Sequence, residues 1–142
     1  MFKTVLVPVD GSATCDCIFE KIRSFGQVYG SKFILLNVYG LPTLAEYNNY
    51  PSYPVENAFD AESHSKQVLA RVLEKLGPVD FEVETLSEAG NPAGVILDVA
   101  DQKEVDLILM CTHGMSAMKR FMLGSVTNKV VHHAKQPVLV MR

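Results

Sequence analysis

Five short segments with the pattern of β-strands alternate along the chain with segments of helical periodicity. The run 107–110 (LILM), entered through Asp106, is apolar throughout and too short to be an ordinary helix. Such a run is typical of a strand that is buried on both faces of a parallel sheet. Other strands are predicted at residues 2–9, 33–39, 79–86 and 137–141, and the apolar–acidic alternation of 79–86 indicates an edge or half-exposed strand.

Four helices are predicted between these strands from their caps and apolar stripes. Ser12 or Thr14 caps the first, which runs to about residue 29, and the second occupies residues 55–76. Asn91 is the expected cap of the third, which reaches about residue 102, and Ser125 is the expected cap of the fourth. The positions expected to face the core are Ile18, Ile22, Phe25 and Val28; Val68, Val72 and Leu76; Val95, Ile96 and Val99; and Val126, Val130, Val131 and Ala134.

The resulting order, β-α-β-α-β-α-β-α-β, predicts an α/β fold. Alternation of this kind indicates an open five-stranded parallel sheet with helices on both faces and right-handed crossovers. A chain of 142 residues is long enough to bury a sizeable core, so residues 1–142 are expected to form a single domain.

The charge balance and the cysteines restrict the partners and the location. The chain is 48% hydrophobic and 20% charged, with a formal net charge of −3, so neither duplex nucleic acid nor a membrane surface is an expected partner. The N-terminal segment reaches Asp10 too soon for a signal peptide. Three cysteines, two of them one residue apart, do not make a disulfide framework and indicate a reducing compartment, so a cytoplasmic location is predicted.

The stretch from Val105 to Ala134 contains a candidate anion site. Its buried strand leads through a glycine-containing connection to Gly124 and Ser125, where a helix is expected to begin. Unpaired N–H groups and the partial positive charge at a helix N-terminus suit phosphate. An ordinary strand–loop–helix connection with Gly114 as a turn residue explains the same pattern, so both interpretations stay open at this point.

The predicted topology brings a second segment to this site. In open parallel sheets, ligands bind beyond the carboxyl ends of the strands, where the winding direction reverses. If the first and fourth strands are neighbours there, Pro8, Val9 and Asp10 line the same crevice as the segment from Met110 to Gly114.

Several segments resemble the universal stress protein family, over essentially the full length of the chain. They are KTVLVPVDGS, ILLNVY, EAGNPAGVILDVA and THGMSAMKRFMLGSVTNKVVHHAKQPVLVM. Nucleotide-binding members of that family carry the motif Gly-x2-Gly-x9-Gly-Ser/Thr between the fourth strand and the last helix. Gly114, Gly124 and Ser125 match the later positions of the motif, but Cys111 stands where the first glycine belongs. A cysteine adds bulk where the family's backbone passes close to the nucleotide.

The resemblance implies a Rossmann-like fold of the adenine nucleotide alpha hydrolase type, and a role for each matching residue. Asp10 would contact the adenosine, Val38 would offer backbone groups to adenine, and Met110 would pack near the base. The amides of Gly114, Gly124 and Ser125, with the Ser125 hydroxyl, would hold the phosphates. The full expected set is Pro8, Val9, Asp10, Val38, Met110, Cys111, His113, Gly114, Gly124, Ser125 and Val126.

The same resemblance implies a ligand, a role and an assembly. The ligand would be ATP, or AMP or ADP in its place, with Mg²⁺ bridging the phosphates. The role would be that of a stress-response sensor or regulatory module. The chain would form a homodimer through the C-terminal strand from Pro137 to Met141, since an exposed apolar edge strand pairs readily with its copy.

Two other functions stay open. In one, Cys111 closes the pocket and the chain is a nucleotide-free dimeric module for protein partners. In the other, the chain is a slow ATPase or phosphotransfer enzyme that uses Asp10 and a metal. No paired carboxylates, nucleophile–base pair, metal triad or Walker sequence is recognised, so no catalytic residue is assigned and any ATP hydrolysis is expected to be slow.

Three further features have less specific interpretations. Lys119 and Arg120 are either counter-charges for phosphate or solvated loop charges. Cys15 and Cys17 would point about 200° apart on a helix, which does not favour a metal site between them. The tyrosines of the 40–54 loop are expected to pack against the second helix.

Overall fold

The computed structural model describes residues 1–11, 16–40, 56–112 and 123–141, without the side chains of residues 16, 17 and 56–59. Five strands alternate with four helices in these ranges. They are β1 (Thr4–Pro8), α1 (Asp16–Tyr29), β2 (Lys32–Tyr39), α2 (Glu56–Leu76), β3 (Val83–Ala89), α3 (Pro92–Gln102), β4 (Leu107–Cys111), α4 (Ser125–His133) and β5 (Val138–Met141). The predicted order of elements is confirmed.

All five strands belong to one parallel sheet with the order β3-β2-β1-β4-β5. β1 pairs with β2 from Thr4 opposite Lys32 to Pro8 opposite Leu36. On its other side β1 pairs with β4, where Leu6 lies opposite Ile108. The winding direction therefore reverses between β1 and β4, and the predicted α/β class and the neighbour relation of these two strands are both confirmed.

Helices cover both faces of the sheet, because side chains along each strand alternate between the faces. α1 and α2 pack on one face, and α3 and α4 pack on the other. The first core contains Val5, Val7, Ile18, Ile22, Phe33, Leu35, Val68, Val72, Leu76, Leu107 and Leu109. The second contains Leu6, Ile34, Leu36, Ala93, Ile96, Val99, Ala100, Ile108, Met110 and Val130.

Two residues predicted to face the core are exposed. Val28 is 68% exposed, and its neighbour Tyr29, whose ring centroid lies 5.8 Å from that of Phe25, is also exposed at this end of α1. Val131 is 40% exposed, because Thr127 and Val130 occupy the inner face of α4. Successive helical positions are rotated by about 100°, so the residue after Val130 points away from the core.

The predicted boundaries of β3 are also wrong. The strand covers Val83–Ala89, four residues later than the predicted start at 79. β2 determines this start, because Phe33 pairs with Val83 and its N–H donates to the Glu82 carbonyl over 2.9 Å. Residues 79–82 precede this ladder, and Phe81 packs on Phe33, with ring centroids 5.3 Å apart.

Of the two predicted helix caps that the structure describes, one is confirmed and one is wrong. The Asn91 side chain accepts a 3.4 Å hydrogen bond from the Gly94 N–H, and Pro92 lies in the first turn of α3, as predicted. In α4 the N-cap is Gly124, and Ser125 is already the first helical residue, so the prediction of a serine cap is wrong. Gly124 has extended dihedrals (φ −56°, ψ 153°), which leave it outside the helix.

Asp106 fixes β1 to β4 at the amino ends of the strands. Its carboxylate accepts the N–H groups of Lys3 and Thr4 over 2.9 and 2.8 Å, and its own N–H donates to the Thr4 carbonyl over 2.8 Å. This end of the strand pair is therefore fixed by three hydrogen bonds.

Several predictions concern residues that the structure does not describe. They are the caps Ser12 and Thr14, the thiol orientations of Cys15 and Cys17, the packing of Tyr47, Tyr50 and Tyr53, and the roles of His113, Gly114, Lys119 and Arg120. No described helix is long and apolar enough to cross a membrane.

Candidate functional site

A cavity of about 250 Å³ opens at the carboxyl ends of β1 and β4. Residues from β1, β2, β4 and the first turn of α4 meet there. The predicted site residues that line it are Pro8, Val9, Asp10, Val38, Met110, Cys111 and Val126. The prediction that the ends of β1 and β4 share one crevice is therefore confirmed as far as Cys111, and residues 113 and 114 lie outside the described ranges.

The end of β1 is held in place by β2. The Val9 N–H donates to the Leu36 carbonyl over 2.8 Å, and the Asn37 side-chain amide donates to the Val9 carbonyl over 2.7 Å. Asn37 is only 7% exposed. Because both polar groups of the Val9 backbone are used, the direction in which the chain enters Asp10 is fixed.

Gly11 allows the chain to turn at the cavity edge. It has φ +78°, a left-handed conformation that favours glycine. A Cβ at this position would lie 3.1 Å from both methyl groups of Val68 on α2. A larger residue would therefore push α2 away from the end of β1.

The end of β4 is held by β5. Cys111 lies opposite Met141, and the Met141 carbonyl accepts the Thr112 N–H over 2.9 Å and the Thr112 hydroxyl over 3.2 Å. The C-terminal strand thus fixes the point at which the chain leaves β4, next to the cavity.

Cys111 is half-buried, lines the cavity and is disulfide-bonded. The cysteine count indicated a reducing compartment and no disulfide framework, so this bond was not expected from the sequence. The Cys111 side chain packs with the core between the sheet and α1–α2, whereas Met110 packs with the opposite core.

The first turn of α4 presents hydrogen-bond donors at the cavity. Its first intrahelical hydrogen bond runs from the Asn128 N–H to the Gly124 carbonyl over 2.8 Å, so the N–H groups of the preceding residues have no partner inside the helix. Thr127 is 5% exposed and lines the cavity, and its hydroxyl has no partner in the part of the chain that the structure describes. Gly124 precedes this turn and Ser125 begins it, and neither residue lines the cavity.

α2 contributes residues that the sequence analysis missed. Arg71 and Lys75 are exposed and lie one helical turn apart, and both line the cavity. Neither forms an ion pair within the described ranges. Among the described lining residues, two cations accompany one carboxylate, that of Asp10, and this balance favours an anionic ligand.

Thr127, Arg71 and Lys75 had no recognisable signal in the sequence. Thr127 occupies a core-facing helical position, and the two cations are ordinary surface residues on a long helix. Their place at the cavity follows from how α2 and α4 pack on the sheet. Among the described residues, no group of three His, Cys, Asp or Glu side chains is arranged to bind a metal ion.

Known proteins are similar to this chain in both sequence and fold. A putative universal stress protein of Staphylococcus haemolyticus is 32% identical over 145 residues, which cover 99% of this chain and 85% of the relative. The solved structure of universal stress protein UspA from Lactobacillus plantarum has a TM-score of 0.77 and 27% identity, covering 99% of this chain and 98% of that one.

A more distant solved structure is a universal stress protein in complex with cAMP. It has a TM-score of 0.62 and 20% identity, and the match covers 99% of this chain and 97% of that one. At this identity it shows the shared fold. The universal stress protein family profile itself matches residues 1–142, and the chain therefore belongs to the universal stress protein family.

Proposed function

We propose that this chain binds an adenine nucleotide in the cavity between β1 and β4 and acts as a cytoplasmic sensor or regulatory module in the stress response. The proposal depends mainly on one observation: residues from four separate segments of the sequence, each expected to contact nucleotide, line a single cavity. They are Pro8 to Asp10, Val38, Met110 with Cys111, and Val126. The cAMP complex of a related protein supports the choice of an adenine nucleotide.

The apolar walls suit the base and the sugar. Val38, Met110, Ile96 and Pro92 line the side of the cavity next to α3. Its volume of about 250 Å³ lies just below the roughly 300–1,000 Å³ of typical ligand pockets. We therefore place the adenosine inside and the phosphates at the mouth. The Asp10 carboxylate is an acceptor for hydroxyls of the ribose.

The phosphates would lie at the start of α4. Backbone N–H groups at a helix start, together with a side-chain hydroxyl, donate hydrogen bonds to an oxyanion. Thr127 supplies the hydroxyl, Gly124, Ser125 and Val126 supply amides, and His113 and Gly114 would complete the set. Arg71 and Lys75 add positive charge at the rim.

Mg²⁺ would be held by the nucleotide more than by the protein. Within the described ranges, acidic and histidine side chains form no three-ligand cluster. Magnesium commonly keeps several waters and is held by substrate phosphates together with one or two carboxylates. Asp10, proposed above as the ribose acceptor, is the one carboxylate among the described residues that line the cavity.

Calorimetric titration of the reduced full chain with ATP, AMP and GTP in the presence of Mg²⁺ tests the ligand. We expect about one ATP per chain with micromolar affinity, about −8 kcal/mol. GTP should bind at least about tenfold more weakly, because the Val38 backbone groups proposed to face adenine would not match the donors and acceptors of guanine. Absence of binding by all three nucleotides would contradict the proposal and favour the nucleotide-free interaction module.

We also propose a homodimer through β5. The strand pairs with β4 on one side, and all four of its residues are only half-buried. Because the carbonyls of Pro137 and Met141 face β4, the N–H of Val140 points to the outer edge of the sheet. Val140→Pro removes that donor and leaves the β4 ladder intact, so it should convert a dimer into a folded monomer.

Light scattering coupled to size exclusion measures this change. Val131→Thr, an exposed substitution on α4, is the control and should leave the mass unchanged. A wild-type chain that is monomeric at high micromolar concentration would contradict the proposed dimer.

A further inference from the structure

Cys111 is placed to connect the sheet to the start of α1. Residues 107, 109 and 111 alternate onto the face that α1 and α2 cover, and Cys111 packs against the core that contains Ile18 and Phe19 of α1. Those two residues also line the cavity. The Cys111 sulfur therefore lies on the α1 side of the proposed nucleotide site.

The two candidate partners of Cys111 follow from the composition. Cys111 is disulfide-bonded, and the sequence contains two other cysteines, Cys15 and Cys17. The second of these is in the first turn of α1, which begins at Asp16. A bond from Cys111 to either cysteine would link the end of β4 to the start of α1, and Cys111 and Ile18 of α1 both line the cavity.

We propose that Cys111 is a reversible thiol-oxidation site, paired with Cys15 or Cys17, and that oxidation weakens nucleotide binding in the cavity. This proposal rests on the proposed adenine nucleotide site. The cavity of about 250 Å³ is that of the disulfide-bonded form, and this volume lies just below that of typical ligand pockets. The bond would tie the start of α1 to β4 and so limit the width of the crevice on the α1 side. Reduction releases this constraint, so the crevice can adapt to the nucleotide.

Formation of the disulfide needs an oxidant, here a peroxide, and its reversal needs a reductant, here a dithiol. A peroxide oxidises one thiolate to a sulfenic acid, and hydroxide leaves the peroxide as water. The second thiol then attacks the sulfenic sulfur, the S–S bond forms, and a second water is released. In total two thiols lose two protons and two electrons to the peroxide, and a dithiol reverses the reaction by exchange. A thiolate at the start of a helix is favoured by the partial positive charge there.

The test compares reduced and peroxide-treated full chain in two measurements. Intact mass and peptide mapping follow the loss of two hydrogens and locate the cross-link, and calorimetry measures ATP affinity. We expect peroxide to produce one intramolecular cross-link that contains Cys111 and to weaken ATP binding at least about tenfold. Dithiothreitol should restore both.

Three single substitutions identify the partner and control for general oxidation damage. Cys111→Ser should bind ATP equally before and after peroxide. One of Cys15→Ser and Cys17→Ser should likewise lose the response, while the other keeps it. Because serine closely resembles cysteine in size, all three variants are expected to fold.

The outcomes separate this proposal from the proposed function. If peroxide gives no Cys111 cross-link, or the cross-link forms and ATP affinity is unchanged, the redox proposal is overturned while nucleotide binding stands. If neither the reduced wild type nor Cys111→Ser binds any adenine nucleotide, both proposals are overturned.

Discussion

The side-chain amide of Asn37 donates a 2.7 Å hydrogen bond to the backbone carbonyl of Val9. One buried polar residue in β2 thereby fixes the carboxyl end of β1, at the edge of the cavity. The pairing of β1 with β2 ends at Pro8, opposite Leu36, so the Val9 carbonyl takes its donor from a side chain. This contact explains why a buried amide lies among the apolar residues of β2.

Asn37→Leu keeps the size of the side chain and removes the donor. The Val9 carbonyl then lacks its partner, so we expect a loss of about 1–3 kcal/mol in the free energy of unfolding. Denaturant unfolding measures the change, and Gln67→Leu on the exposed surface of α2 is the control. If Asn37→Leu is as stable as the wild type, the hydrogen bond does not hold the end of β1.

Gly26 is required by the ring of Phe81. A Cβ at Gly26 would lie 2.2 Å from that ring, so Gly26→Ala forces α1 and the segment before β3 apart. We expect a loss of about 1–3 kcal/mol. Phe81→Leu in the same chain should recover part of it, because the smaller side chain removes the clash.

Gly94→Ala is the matched control for Gly26→Ala. Both glycines lie inside helices, but a Cβ at Gly94 would have no atom within 4 Å. Alanine should stabilise α3 there by up to about 1 kcal/mol. Equal effects of the two substitutions in thermal unfolding would contradict the packing of Phe81 on Gly26.

The ionised Glu84 carboxylate is expected to make the free energy of unfolding fall at acid pH. Its carboxylate lies 2.8 Å from the Lys103 ammonium and 2.9 Å from that of Lys32, and hydrogen bonds from these lysines, Lys103 first, lower the Glu84 pKa. Because the folded pKa lies below the unfolded one, the stabilisation is present above the unfolded pKa and is lost as pH falls through the folded pKa.

Glu84→Gln should therefore flatten the decline in stability below about pH 5. The difference from wild type at neutral pH is expected to be about 1 kcal/mol or less, since the pair lies near the surface. Unfolding measured from pH 7 to pH 3 gives both slopes, with Glu88→Gln as the exposed control on the same strand. Parallel pH profiles for wild type and Glu84→Gln would contradict this assignment.

The fold could be predicted from the sequence because its signals are local. Each signal lies within a few residues of the chain. Examples are the apolar run 107–110, the Asn91 cap and the apolar stripe of Val68, Val72 and Leu76. Parallel topology then brought Pro8 to Asp10 and Met110 together, since few arrangements satisfy alternating strands and helices.

The features that could not be predicted depend on contacts between distant segments. The start of β3 is set by its pairing with β2, and the ring of Phe81 packs where Gly26 of α1 has no side chain. Arg71, Lys75 and Thr127 reach the cavity only because of how α2 and α4 pack. The disulfide of Cys111 likewise depends on which sheet face its side chain occupies.

The position of the nucleotide can be tested through the hydroxyl of Thr127. Thr127 lines the cavity. Thr127→Val keeps the shape of its side chain and removes the hydroxyl, while Thr127→Ser keeps the hydroxyl. Thr85→Val, on the exposed face of β3, controls for the substitution itself.

The decisive measurement is the ATP affinity of these reduced proteins by calorimetry. We predict about five- to tenfold weaker binding for Thr127→Val, as expected for one lost hydrogen bond of about 1–1.5 kcal/mol, with near-normal binding for Thr127→Ser and Thr85→Val. Unchanged affinity in Thr127→Val, in a protein that binds ATP and folds normally, would contradict binding of the phosphates at the start of α4.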